Sequence, residues 1–81
     1  MEVHKSALKH GVDADDAVHA ATRFLVAYSL VDDGDEGPDR ELRLGPDRAG
    51  NLLETVVLLL AEAELVIHAM RMRAKYRKLL P

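Results

Sequence analysis

Residues 52–80 read LLETVVLLLAEAELVIHAMRMRAKYRKLL, and the fold turns on whether this stretch is one helix or a hairpin. Asn51 with Glu54 has the spacing of a capping box and would start a long helix. Against this, residues 52–70 are apolar nearly all round, too wide a face for a helix in so small a protein. Thr55-Val56-Val57 and Val66-Ile67 are also β-branched and suit a pleated surface. The hairpin alternative has a strand over 52–60, a turn near Ala61-Glu62-Ala63, a strand over 64–69 and a helix from residue 73. Its turn lacks the Gly or Asn that tight hairpins prefer. Pattern alone leaves both readings open.

Beyond Glu64 no acidic residue appears, and Arg71, Arg73, Lys75, Arg77 and Lys78 follow with Tyr76 among them. This is the one place where the chain collects positive charge, and cations beside an imidazole and a phenol suit contact with phosphate. The remainder is acidic enough to give a formal net charge of −3, which is unusual for a nucleic-acid binder. The acids cluster at residues 13–16 and 32–47, so one basic face remains compatible with RNA.

Eighty-one residues, 48% of them apolar but only 4% aromatic, make one small domain with a core of Leu, Val and Ala. The absence of cysteine excludes disulfides and thiolate metal sites and fits a reducing compartment. MEVHKSALKH lacks the apolar centre of a signal peptide, and residues 52–61 are too short an apolar run to span a membrane. The expectation is a soluble, cytoplasmic protein.

Going back along the chain, residues 4–10 are expected to form a short helix ended by Gly11 in the left-handed region, with Val12 folding back on it. Asp13 reads as the N-cap of a helix over residues 14–23 that buries Ala17, Val18 and Ala21, with Asp15 and Asp16 against its positive end. Residues 24–31 (FLVAYSLV) read as a strand, 32–39 as an acidic loop and 40–44 (RELRL) as a short strand. In that last strand Leu42 and Leu44 share one face, Glu41 and Arg43 the other. A turn runs from Gly45 to Asn51.

Lys9-His10-Gly11-Val12, followed by an acidic, alanine-rich helix, resembles the opening of the BrnT-like toxins, the ribonuclease halves of bacterial type II toxin–antitoxin pairs. Arg40-Glu41-Leu42-Arg43-Leu44-Gly45, the apolar run 52–60 and residues 65–76 match, in order, that family's arginine-bearing strand, apolar strand and Arg- and Tyr-bearing end. The resemblance implies the hairpin, and a RelE-like α+β fold with N-terminal helices packed on an antiparallel sheet of about four strands and a C-terminal helix. It also implies a single toxin domain over residues 1–81, an RNA substrate, no metal or other cofactor, a cognate antitoxin as partner, possible higher-order toxin–antitoxin assembly and no membrane.

A metal-independent ribonuclease needs a base for the ribose 2′-hydroxyl, cations on the phosphate and an acid for the leaving oxygen. His68 is the first candidate for moving protons. Strand alternation would put it on the face of Val66; its ordinary alternative is a strand-end histidine beside the core. Arg43 points away from the Leu42–Leu44 face and could share a face with His68; the ordinary alternative is a solvated arginine paired with Glu41 or Asp39. Arg73 and Arg77 lie one helical turn apart, and with Arg71 they could hold phosphate, although cations in a last helical turn also complement the helix dipole. Tyr76 could stack on a base or donate a proton, or simply pack its ring on the sheet. Lys9 could hold phosphate and His10 assist proton transfer, or both could cap the first helix. Asp15 with His19 has the spacing of a metal pair, and residues 32–36 hint at calcium, but neither has a full ligand register. The sequence also fits two other readings: a non-catalytic module that binds through the basic end, and an all-helical dimerisation domain.

Overall fold

The computed structural model describes residues 1–30 and 37–81. Residues 52–71 form the hairpin, with strands β4 (Leu52–Leu59) and β5 (Glu64–Arg71) antiparallel in register from Leu53↔Arg71 to Leu59↔Glu64. Thr55, Val56 and Val57 of β4 and Val66 and Ile67 of β5 are β-branched and meet in mid-hairpin, and a strand buried on both faces needs no polar alternation. The turn closes without Gly or Asn by a longer connection in which Leu60 N–H donates to the Ala63 carbonyl at 2.9 Å.

Four strands were expected, all antiparallel, and the sheet has five of mixed direction, in the order β1-β5-β4-β3-β2. The additional strand is β1 (Glu2–Val3), which runs parallel to the start of β5 with Val3 opposite Val66. β3 (Asp39–Pro46) is longer than the expected 40–44 and pairs along its whole length with β4. β2 (Val26–Ser29) is shorter than the expected 24–31 and forms the far edge. The expected end of that strand at Val31, most of the acidic loop and the calcium hint at 32–36 lie outside the described residues.

The helical content is also smaller than expected. Among the described residues the one α-helix is α1 (Ala14–Thr22); it starts at Asp13, whose carboxylate accepts from Asp16 N–H at 2.8 Å as an N-cap should. The expected helix over residues 4–10 is instead a single 3-10 turn, Lys5–Leu8. His4 caps this turn, its Nδ1 accepting from Ser6 N–H at 3.1 Å, while Ser6 Oγ–H donates to the Ile67 carbonyl on β5 at 2.8 Å and ties the turn to the sheet. Gly11 does take the left-handed conformation, at φ +85°. The expected C-terminal helix is likewise a 3-10 segment, Ala74–Leu79, with no buried residue. So short a segment without an apolar face to dock gains too little from packing to form a regular helix. Fold class is therefore corrected from several helices on a four-stranded antiparallel sheet to one helix on a five-stranded mixed sheet.

α1 covers one face of the sheet. Ala7, Ala17 and Ala21 meet Val57, Val66 and Ala69 there, all fully buried, with Val3, Val12 and Leu59 at the margin. Small residues from helix and turn let the backbone approach closely, and Gly45 marks the tightest point. The opposite face carries Leu42 and Leu44, also buried, and the C-terminal 3-10 segment crosses it, tied by Tyr28 Oη–H donating to the Leu79 carbonyl at 3.0 Å. No helix among the described residues is long and apolar enough to cross a membrane.

Candidate functional site

The site begins with Glu54, an acid in the middle of an apolar strand that is only 1% exposed. A carboxylate so placed must find partners or be neutralised, and Glu54 finds two. Its Oε2 accepts from His68 Nε2 on the neighbouring strand at 3.0 Å. Arg73, just past the end of β5, donates its backbone N–H and Nε to Oε1 and its Nη2 to Oε2. Burial pushes the Glu54 carboxyl up, but the Arg73 side chain and backbone N–H, the His68 bond and the Arg73 charge together outweigh it and hold the group below its ordinary value of 4.5. The carboxylate is thus ionised and accepts only, so the His68 nitrogen facing it carries the proton of that bond.

Why His68 lies on this face follows from an irregularity in β5. Val56 pairs with His68, but the next residue, Val57, pairs with Val66, so Ile67 is an extra residue in the strand. Such a β-bulge shifts the alternation by one. Val66 faces the core under α1, and His68 faces the opposite side with Glu54, although simple alternation puts the two together.

Around this pair opens a cleft of about 340 Å³. Leu30, Val56 and Ile67 give it apolar walls, while Arg40, His68, Arg73 and Tyr76 line it with polar groups. The Arg73 guanidinium lies 5.6 Å from the centre of the Tyr76 ring and the Lys75 ammonium 5.0 Å, so the ring is held among cations. His10 is exposed and does not itself line the cleft, but its ring meets that of His68 edge-on with centroids 5.6 Å apart. The structure therefore brings together His68, Arg73, Tyr76 and His10.

Arg43 is elsewhere. It pairs with Thr55 and lies on the α1 face, opposite His68, 6% exposed. Its Nε donates to Glu41 at 3.0 Å, Nη1 to the Ala21 carbonyl at 2.9 Å and Nη2 to Glu64 at 2.9 Å, and its guanidinium lies 4.9 Å from the centre of the Phe24 ring. These contacts tie α1 to the sheet and leave no room for phosphate, so the expectation that Arg43 shares the His68 face is corrected. Arg71 opposes Leu53 on that same α1 face, away from the cleft. Lys9 and Arg77 are exposed and do not line the cleft.

Glu54 and Arg40 are the residues that sequence reasoning missed. Glu54 did carry a signal: a lone acid inside a buried apolar run needs a cation or imidazole nearby. The candidate metal pair resolves otherwise, since His19 Nδ1 bonds the Pro46 carbonyl at 2.8 Å and Asp15 pairs with Arg48, which also bonds Asp13 and Asp16. Among the described residues no group of His, Asp and Glu side chains is placed to hold a metal. Comparison with protein-family models, with curated proteins and with solved structures finds no match to this chain.

Proposed function

We propose that this chain is an endoribonuclease acting without a metal, and that it is the toxin of a type II toxin–antitoxin pair. The observation that carries the reading is Glu54, whose one buried carboxylate holds an imidazole and a guanidinium side by side at an open cleft. With Nε2–H committed to Glu54, the His68 Nδ1 lone pair is the base that takes the proton of a ribose 2′-hydroxyl. The freed 2′-oxygen bonds to the adjacent phosphorus, the bond from phosphorus to the 5′-oxygen breaks, and a 2′,3′-cyclic phosphate results. Arg73, exposed on its outer side, sets its positive charge against the charge that builds on the phosphoryl oxygens. His10, against His68, is the group that returns a proton to the 5′-oxygen, and Tyr76 with its flanking cations meets a base or the backbone. In this reading the antitoxin neutralises the chain by covering the cleft and its cationic rim.

The test is cleavage of cellular RNA by the purified chain in the presence of EDTA, with and without ribosomes, beside His68→Ala. Fragments ending in cyclic phosphate, lost in His68→Ala while its fold and melting are kept, support the reading. Intact RNA in every condition, together with normal growth of cells expressing soluble chain, overturns it and leaves a binding cleft that holds phosphate without chemistry.

A further inference from the structure

The far edge of the sheet shows what it pairs with. Leu30 N–H donates to the Arg40 carbonyl at 2.8 Å, and the register places Ser29 opposite Glu41 and Tyr28 opposite Leu42. Main-chain groups alternate in direction along an antiparallel strand, so Val26, Tyr28 and Leu30 turn theirs toward β3 while Ala27 and Ser29 turn theirs outward. Among the described residues nothing bonds those outward groups. Natural edges are usually blunted by charge or proline, yet residues 24–31 (FLVAYSLV) contain neither. Phe24, Leu25, Tyr28 and Leu30 are all exposed here, whereas the other exposed large apolar residues, Met1, Leu8 and Leu60, are scattered.

We propose that β2 pairs with β2 of a second copy of this chain, antiparallel, about a two-fold axis at Tyr28. The strand itself selects this occupant and this register. With Tyr28 at the axis, Ala27 faces the partner's Ser29, and Ser29 the partner's Ala27. Every outward N–H and carbonyl of the strand then has a partner. Centring on Ala27 would need main-chain groups from Leu25, whose N–H already donates to the Leu44 carbonyl at 2.8 Å. On the face of the cleft, the chosen register sets tyrosine beside tyrosine and Val26 beside the partner's Leu30, apolar against apolar. Because no charge lies in the stretch, a like copy meets no repulsion. The product is one continuous ten-stranded sheet with both clefts on the same face, each bordered at Leu30 by the other copy. This pairing is independent of whether the cleft cuts RNA.

Sedimentation equilibrium of the full chain at about 100 µM should give the mass of two 9.0 kDa chains. Ser29→Pro removes an outward N–H and no bond to β3, so it should keep the circular dichroism spectrum and weaken self-association by at least about tenfold. Tyr28→Cys supplies the positive arm. The chain has no other cysteine, and a non-hydrogen-bonded pair at the axis has a Cα separation suited to a disulfide. Diamide should accept the two electrons and two protons of the paired thiols and link Tyr28→Cys into a dimer, leaving Ala49→Cys, in an exposed turn, largely unlinked. A monomeric wild type, a dimer indifferent to Ser29→Pro, or equal linking of the two cysteine variants would each overturn the proposal.

Discussion

Arg73 holds Glu54 twice over: its backbone N–H donates to Oε1 at 3.0 Å, and its guanidinium spans both oxygens, with Nε at 3.0 Å and Nη2 at 2.8 Å. One carboxylate thereby sets the path of the chain as it leaves β5 as well as the position of the cation. Glu54→Gln keeps the shape but loses the charge and part of this bonding. It is expected to lower stability by about 2 kcal/mol, seen as a lower urea midpoint with an unchanged slope. An unaltered midpoint would mean that Glu54 is solvated in the folded chain and that its bonds to Arg73 and His68 do not hold the fold.

The same carboxylate sets a pH dependence. The folded-state pKa of Glu54 is depressed, so its contribution is present above the unfolded value near 4.5 and is lost as pH falls through the folded value. Asp16, Asp47 and Glu64 are depressed as well, by the Arg48 side chain, by the Asn51 and Ala49 amides against burial, and by Arg43 respectively. All four act in one direction, so the wild type should lose stability with acidification below about pH 4.5. The slope attributable to Glu54 is the difference between wild type and Glu54→Gln, measured by urea titration at several pH values.

Arg43→Ala leaves Glu41, Glu64 and the Ala21 carbonyl without their shared donor. A loss of about 3 kcal/mol is expected, read as an early thermal transition. Any ribonuclease activity, measured per folded molecule well below that transition, should stay near the wild-type level, because Arg43 is across the sheet from His68.

Gly45→Ala is expected to be costly for a different reason. A Cβ there would stand 2.7 Å from the Ala20 carbonyl oxygen and 2.8 Å from Phe24 Cα, both backbone atoms that cannot rotate aside. Displacing α1 should cost about 1–3 kcal/mol. Amide exchange should quicken in α1 before it does in β4.

Some of this was written locally in the chain. Asp13 caps the helix it was expected to cap, Gly11 makes its elbow, and Leu42 and Leu44 share a face, because each depends on neighbours a few residues away. The errors came from competition at a distance. Residues 4–10 have helical content on paper, yet Ser6 spends its hydroxyl on Ile67, sixty-one positions further along. The partners of Glu54 are fourteen and nineteen residues away on β5 and beyond it. Arg43 was assigned its face correctly relative to Leu42; what pattern could not show is that α1 covers that face too.

The extra residue at Ile67 works like a shift of reading phase. Upstream of it β5 gives Val66 to the core, and downstream, one step out of phase, it gives His68 and Met70 to one side and Ala69 to the other. Removing Ile67 would make Val66 and His68 neighbours and leave both sides as they stand, because they already oppose consecutive residues of β4. Pairing Ile67 into the ladder instead would exchange the two sides downstream, turning the imidazole toward the alanine core and Ala69 toward Glu54. The cleft therefore depends on where β5 leaves a residue unpaired as well as on which residues it carries, and the same letters in plain register would present a different surface.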